Sequence, residues 1–255
     1  MNYDISTIED CYATLRDLTG FEKWNDLYDI YKYQYIDCPD ETQDEIIDRY
    51  NISINVTSEN FFFVLQHITT SANGCEDIKN NGIYDLEWVL ENDTELRRFL
   101  ADNLIEFEIS SNKMYIDNIA YDINNDSNGV GFKIFKDKDI CGCFQINKNC
   151  PYGGNVHTRP EILHNINKYL IKTNLSYNWY VTHKPYIVKF KVPYDNMDLA
   201  LGISVKNDSE DVVFNKLLSY AINFFFYRDL DSDKIGILKR NIVVPSKDII
   251  SITEY

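Results

Sequence analysis

A histidine and two threonines stand together in Gln66-His67-Ile68-Thr69-Thr70, at the end of a stretch rich in aromatic and β-branched residues. That composition predicts a buried strand over residues 61–69, and polar side chains at a strand end can reach a cleft while the strand itself stays buried. An imidazole can donate an N–H to a hydroxyl group, and a threonine hydroxyl both donates and accepts. His67 and Thr69 are therefore candidates for ligand binding. The alternative is a buried histidine that is hydrogen-bonded to the backbone.

A second group of chemically useful side chains follows the loop of residues 147–157. The sequence Thr158-Arg159-Pro160-Glu161 predicts the first turn of a helix, because proline is well suited to a first helical position. The free N–H groups of a helix N-terminus favour an anion, and arginine can contact a phosphate through two N–H groups. Arg159, with His157 nearby, is thus a candidate to bind a pyrophosphate. Glu161 is a candidate catalytic acid or base, and the alternative is a favourable charge on the first turn.

The segment Leu65–Thr70 and the Gly82-Ile83 pair that follows it resemble the first motif of the ADP-ribosyltransferase superfamily, in which His-x-Thr precedes a helix and a Gly-Ile or Gly-Leu pair. The resemblance is closest to the branch with the DNA-modifying ADP-ribosyltransferase toxins and the RNA 2′-phosphotransferases. Two later segments are also similar to this superfamily. Lys184–Pro193, with Trp179 upstream, resembles a central strand, and residues 243–252 resemble the closing strand and turn. Together the similar segments extend from about residue 60 to residue 255.

This resemblance implies that NAD or a related nucleotide is the cofactor. His67 would bind the ribose, and Thr69 would support the nicotinamide end of the pocket. We expect the pocket between this strand end and the segment from Tyr152 to Glu161, with Tyr152 and Arg159 as further nucleotide contacts. The implied reaction cleaves the nicotinamide–ribose bond and transfers ADP-ribose to a macromolecule, with His67 and Glu161 as catalytic residues. Such a protein would be a toxin, or a factor of phage defence or counter-defence.

A second class of function stays open. The superfamily usually carries its acid in a Glu-x-Glu or Gln-x-Glu motif on or before a late strand, and no such motif stands before Asn241. The chain has 40 acidic and 25 basic residues, with a net charge of −15, which argues against a broad grip on nucleic acid. An acidic surface can instead dock a basic partner or mimic nucleic acid. The alternative is therefore a non-catalytic acidic interaction protein that inhibits or senses a protein or nucleotide partner.

Length and composition narrow the class of protein. The 255 residues are 44% hydrophobic and 25% charged, which is typical of a globular protein large enough to bury a core without disulfides. The longest apolar run, Phe61–Leu65, is far shorter than the ~20 residues of a bilayer span, and no basic and apolar leader follows Met1. We therefore expect a cytoplasmic protein that makes no contact with a membrane and keeps its cysteines reduced.

The cysteines also raise the question of a metal site. Cys141-Gly142-Cys143, together with Cys150 and His157, fits only part of a zinc pattern, because structural zinc sites usually contain Cys-x-x-Cys pairs. Buried thiols are the simpler interpretation, and we expect no metal. The sequence also lacks the motifs of P-loop proteins, serine hydrolases, zinc proteases and Rossmann dinucleotide-binding proteins.

The spacing of apolar residues along the chain predicts the helices and strands that position these candidate residues. Residues 1–50 are predicted to form a helical layer, with a helix that is capped at Ser6 or Thr7 and ends at Gly20. Residues 51–255 are predicted to form one α+β domain with a twisted, split mixed β-sheet of the ADP-ribosyltransferase-like type. The other predicted strands cover residues 105–109, 113–121, 131–135, 143–146, 186–192 and 241–244, residues 217–227 form a strand or a helix, and a helical turn begins at Pro245.

Overall fold

A computed structural model describes residues 1–124, 126–147, 155–170, 173–228 and 234–255. The described chain combines helices with mostly antiparallel strands, which confirms the predicted α+β class. The helices are α1 (Ile8–Thr19), α2 (Trp24–Asp37), α3 (Pro39–Tyr50), α4 (Glu76–Asn81), α5 (Leu86–Glu91), α6 (Glu95–Asp102), α7 (Val130–Phe135), α8 (Glu161–Asn167), α9 (Leu175–Tyr180) and α10 (Glu210–Tyr227). The strands are β1 (Asn2–Tyr3), β2 (Phe62–Ser71), β3 (Gly82–Ile83), β4 (Ile105–Glu108), β5 (Lys113–Ile116), β6 (Ile119–Asp122), β7 (Cys141–Cys143), β8 (Lys184–Pro193), β9 (Met197–Ala200), β10 (Ile203–Ser204), β11 (Ile235–Leu238), β12 (Val244–Pro245) and β13 (Ile249–Glu254).

The predicted start and end of the first helix are confirmed by its caps. The Thr7 hydroxyl accepts a hydrogen bond from the Asp10 N–H at 3.1 Å, which satisfies one of the free donors at the helix N-terminus. Gly20 ends α1 in the left-handed conformation at φ +70°, and its N–H donates to the Arg16 carbonyl oxygen at 2.7 Å. The local sequence therefore determines both boundaries of α1.

The first of two compact units contains residues 1–66, 141–151 and 190–238. Its strands follow the order β10-β9-β11-β7-β2-β8, and β1 lies parallel to the start of β2. The helices α1 and α2 pack against α10, and the buried Tyr3 hydroxyl donates to the carbonyl oxygen of Leu217 on α10 at 2.9 Å. The helices of the predicted 1–50 layer thus belong to the same compact unit as α10 and these strands.

The second compact unit contains residues 67–140, 152–189 and 239–255. Here β4, β5 and β6 form an antiparallel meander, β3 pairs with β12, and β13 lies beside the first half of β8. The core side chains are Leu90, Leu96, Leu100, Ile105, Ile109, Met114, Ile116, Ile123, Val130, Ile134, Ile162, Leu163, Ile166, Leu175 and Trp179. They come from α5 to α9 and from the meander, so one apolar cluster holds the short helices of this unit in place.

The strand predicted over residues 131–135 is wrong, because this segment forms the helix α7. The Asp126 carboxylate accepts hydrogen bonds from the N–H groups of Val130 and Gly131, both at 2.9 Å. These bonds satisfy two free donors at the helix N-terminus. A carboxylate four residues upstream is outside the usual capping pattern, and a six-residue element is too short for its periodicity to distinguish a helix from a strand.

Other predicted strands have different boundaries in the structure, and the segment predicted as either a strand or a helix is a helix. The strand predicted over residues 113–121 is divided into β5 and β6 by Asp117 and Asn118, which both have positive φ, a conformation that Asp and Asn tolerate better than most residues. The segment 217–227 is helical, within α10. Near the C-terminus, the strands are β12 and β13, on either side of a turn at Ser246–Asp248, instead of residues 241–244.

Candidate functional site

A cavity of about 340 Å³ lies at the C-terminal end of β2, within the second compact unit. We call it the β2 cavity. Its lining is mostly apolar, with a few polar and charged groups, which is the usual composition of a small-molecule site. It is lined by residues of β2, of the segment from α4 to the start of α6, of the segment before α8, and of α9: His67, Ile68, Thr69, Thr70, Ser71, Cys75, Asp77, Ile78, Gly82, Ile83, Tyr84, Leu86, Trp88, Val89, Thr94, Glu95, Leu96, Val156, Arg159, Pro160, Glu161 and Trp179.

Four of the five residues predicted for the site line this cavity. His67 and Thr69 come from β2, and Arg159 and Glu161 come from the segment that leads into α8. These two segments are far apart in sequence, so their meeting at one cavity is a result of the tertiary fold. Tyr152, the fifth residue, lies outside the described residues.

Arg159 carries a polar atom that the described residues leave unpaired. Its Nη1 is buried and has no hydrogen-bond partner among them. Burial lowers the pKa of the Arg159 guanidinium, and the charge of Glu161 opposes that shift. A buried N–H without an acceptor costs about 1–3 kcal/mol, and more when the group is charged. An anionic ligand in the cavity would remove this cost.

Glu161 begins α8 and is held by a lysine. Its Oε2 lies 2.7 Å from Nζ of Lys133 on α7, and the same Nζ lies 2.5 Å from Oδ2 of Asp137. Burial alone would lower the pKa of Lys133, but the hydrogen bonds to Asp137 and Glu161 raise it overall. The Glu161 side chain is 49% exposed, so it lines the cavity and also remains open to solvent. A carboxylate in this position can contact both a bound ligand and a second reactant.

Glu95, the first residue of α6, is a second carboxylate at the cavity, and the sequence analysis did not select it. Its Oε2 accepts the hydroxyl proton of Ser71 at 2.7 Å, and its Oε1 accepts the N–H of Ala72 at 2.6 Å. Burial would raise the pKa of Glu95, but hydrogen bonds from His183, Ser71 and Ala72 lower it overall. From sequence alone, an acid in the first turn of a helix is interpreted as a dipole effect, so no local signal distinguishes Glu95.

An indole–hydroxyl hydrogen bond closes one side of the cavity. The Nε1–H of Trp179 donates to Oγ1 of Thr70 at 2.8 Å, and both residues are buried. The Trp179 ring stacks on the imidazole of His183, with ring centroids 3.5 Å apart and planes 14° apart, and meets the edge of Phe99 at 4.9 Å. These contacts join α9 to the end of β2.

Tyr84 and Trp88 form an aromatic wall on another side of the cavity. Their rings stack at a centroid distance of 3.8 Å and an interplanar angle of 17°, and both residues are partly exposed. Flat aromatic faces in an apolar cavity favour planar ligand groups. The wall was not predicted, because two aromatic residues four positions apart in a sequence usually belong to a hydrophobic core.

The cysteines of the partial zinc pattern differ in their exposure to solvent. Cys141 is exposed and Cys143 is buried, whereas Cys150 lies outside the described residues. Within the described ranges, no group of three or more His, Cys, Asp and Glu side chains is arranged to hold a metal ion. In those same ranges, no helix is both long enough and apolar enough to cross a membrane.

Replacing Thr70 with valine should destabilise the protein by about 1–3 kcal/mol, because the buried indole N–H of Trp179 would lose its acceptor. Thr70→Ser keeps a hydroxyl and should cost less. Urea unfolding of the two variants and the wild type measures the difference. Equal losses of stability in Thr70→Val and Thr70→Ser would contradict the role of this hydrogen bond.

Comparisons with known proteins found no match to this chain. No protein-family model matches the chain. No curated protein and no solved structure matches it either. The comparisons therefore show no family, and the function must be inferred from the β2 cavity and its residues.

Proposed function

We propose that the protein binds NAD or a related nucleotide in the β2 cavity and acts as an ADP-ribosyltransferase-like enzyme. The observation that carries this proposal is the buried Nη1 of Arg159, which has no hydrogen-bond partner among the described residues and belongs to a side chain that lines a mostly apolar cavity together with His67 and Thr69. A buried cationic donor favours a phosphate, whereas the apolar and aromatic walls favour a planar ring. A dinucleotide contains both groups.

The polar residues at the cavity suit the separate parts of such a ligand. Arg159 binds the phosphates, since its guanidinium supplies several N–H donors in one plane. His67 contacts the ribose, and Thr69 contacts the nicotinamide end, as the resemblance to ADP-ribosyltransferases implies. The wall of Tyr84 and Trp88 covers the face of a ring. Together these residues orient the ligand and keep water from most of its surface.

We assign the catalytic role to Glu161. NAD supplies the ADP-ribosyl group, whose bond to nicotinamide breaks as a nucleophile of the acceptor forms the new bond to the same ribose carbon. Positive charge develops on the ribose as this bond breaks, and the Glu161 carboxylate stabilises that charge and takes the proton of the acceptor. Lys133 fixes the carboxylate at 2.7 Å. The side chain of Glu161 is partly exposed, which gives a macromolecular acceptor access to the reacting carbon.

NAD should bind to the wild-type protein with a dissociation constant in the millimolar range or below, and Arg159→Gln should weaken binding by about 10- to 100-fold, because a charged hydrogen bond contributes about 1.5–3 kcal/mol. Calorimetric titration measures both values, and His67→Ala should weaken binding in the same experiment. Arg240→Gln is the matched control, since Arg240 is exposed and pairs with Asp139. If millimolar NAD does not bind to the wild type, the transferase proposal fails.

Glu161→Gln should abolish turnover while NAD binding and stability are retained, because the variant loses a charge but keeps its size. The measurement is the release of nicotinamide from NAD, with water or the protein itself as acceptor, combined with mass spectrometry of the chain. Glu106→Gln, at an exposed position on β4, is the control. Undiminished nicotinamide release by Glu161→Gln would remove Glu161 from the mechanism.

A second candidate function, that of an acidic interaction protein, is favoured by one face of α2. Ile30, Tyr33 and Ile36 are 63%, 74% and 56% exposed, which is unusual for three large apolar side chains on one helix. Exposed acids flank them, namely Asp26, Asp29 and Asp37. A partner with basic and apolar side chains would complement this face, and its binding would not require the β2 cavity.

A synthetic amphipathic peptide of lysine and leucine should bind to this face, with an affinity that falls as salt is added. Tyr33→Asp should weaken binding by about tenfold or more, since an exposed aromatic residue in such a patch is a typical hot spot. Tyr177→Asp serves as the control, because Tyr177 is 61% exposed on α9 in the other compact unit. Fluorescence anisotropy measures both affinities. Equal losses in the two variants would indicate non-specific binding and exclude this function for α2.

A further inference from the structure

Both ring nitrogens of His183 face hydrogen-bond acceptors. Nδ1 lies 2.9 Å from the carbonyl oxygen of Trp179 and 2.8 Å from Oγ1 of Thr182. The Thr182 hydroxyl can give its one proton to the Asn178 carbonyl oxygen at 3.0 Å. On the other side of the ring, Nε2 lies 3.3 Å from Oε1 of Glu95. A carboxylate oxygen has no proton to donate, so Nε2 supplies the proton to Glu95, whereas Nδ1 can either donate to the Trp179 carbonyl oxygen or accept the proton of the Thr182 hydroxyl.

The side chains of His183 and Glu95 are 6% and 17% exposed, so the two groups face each other largely out of water. A charge in such a place is stable only when it is paired and hydrogen-bonded. The face of the Trp179 indole stacks on the imidazole, with the ring centroids 3.5 Å apart, and this contact fixes the orientation of the His183 ring.

We infer that the hydrogen-bonded pair of His183 and Glu95 positions the end of β2 that forms one wall of the β2 cavity. His183 and Glu95 are positioning residues in this inference, because they act through their neighbours. The inference is independent of the proposed nucleotide, since it concerns the wall itself and holds for any ligand of the cavity.

The pair reaches the end of β2 by two routes. On one side, the Glu95 carboxylate accepts the Ser71 hydroxyl and the Ala72 N–H, and the Ser71 oxygen in turn accepts the N–H of Cys75 at 2.9 Å. On the other side, His183 supports the Trp179 ring, whose N–H donates to Thr70. Thr70, Ser71 and Ala72 are consecutive, so the pair fixes the residues that directly follow Thr69 in the chain.

The other ionisable groups around Glu95 leave His183 as its partner. Asp77 on α4 accepts the Glu95 backbone N–H and pairs with Nη2 of Arg98 at 3.4 Å. The pKa of the Cys75 thiol is raised to about 11, mainly by burial and also by the charge of Glu95, so this thiol adds no second negative charge near neutral pH. Arg98 pairs with Asp93 as well as with Asp77, and its Nη1 lies 2.7 Å from Oδ1 of Asp93. Among the described ionisable side chains, His183 is therefore the partner of the Glu95 carboxylate.

Nuclear magnetic resonance of the ¹⁵N-labelled protein tests the hydrogen bond between the two side chains directly. Nε2 of His183 should give the chemical shift of a protonated nitrogen, and its proton should exchange slowly with water because Glu95 accepts it. In Glu95→Ala this proton loses its acceptor and should exchange faster. The exposed His164 serves as the reference in both spectra. An Nε2 without a proton in the wild type would overturn the inference.

The positioning role has its own readout in amide hydrogen exchange. Glu95→Ala removes the acceptor of the Ala72 N–H, so exchange at Ala72 should become about tenfold faster or more, in line with the loss of one charged hydrogen bond. Glu95→Gln keeps an acceptor oxygen and should restore much of the protection. The exposed Glu91 on α5 provides the matched control, Glu91→Ala. Unchanged exchange at Ala72 in Glu95→Ala would show that the pair does not position the strand end.

Discussion

The carboxylate of Glu95 accepts hydrogen bonds from groups on two separate parts of the chain, and the polar side of the β2 cavity depends on this convergence. Ser71 and Ala72 approach it from the end of β2, and His183 approaches it from the residues after α9. A buried carboxylate is costly unless donors surround it, so the charge selects the one arrangement in which all of these donors are present. The apolar core of this unit supplies most of the stabilisation, but apolar contacts are not directional. The hydrogen bonds to the Glu95 carboxylate are directional, and they orient the residues at the end of β2.

The low polarity of the cavity gives its few charged groups their chemical value. Water would screen the guanidinium of Arg159 and weaken its attraction for an anion, whereas a mostly apolar lining strengthens that attraction. The same surroundings make a buried N–H without an acceptor costly. In the proposed site, Arg159 would therefore contribute to ligand affinity at the expense of stability, a balance that is common at functional sites. Glu161 differs, because it is half exposed and already paired with Lys133.

Much of the fold follows from local sequence, and the site follows only in part. Thr7 and Gly20 specify the ends of α1, and β2 stands out by its aromatic and β-branched residues, so both elements could be predicted. The candidate residues His67, Thr69, Arg159 and Glu161 were selected by their chemistry and by resemblance, and the cavity brings them together. Glu95 and His183 could not be selected, because their interaction connects positions far apart in sequence. The helix α7 was also missed, because Asp126, which lies outside the helix, accepts hydrogen bonds from its first N–H groups.

The hydrogen bond between Thr70 and Trp179 joins residues that are 109 positions apart in the chain. Bringing such distant segments together costs loop-closure entropy before any contact compensates for it. Local elements such as the β4–β5–β6 meander can form early, whereas this wall must wait for the later segment. During synthesis, the cavity can close only after Trp179 and the residues that follow it have left the ribosome. Until then, the last residues of β2 lack the partners that bury them, and such transiently exposed strands are prone to aggregate.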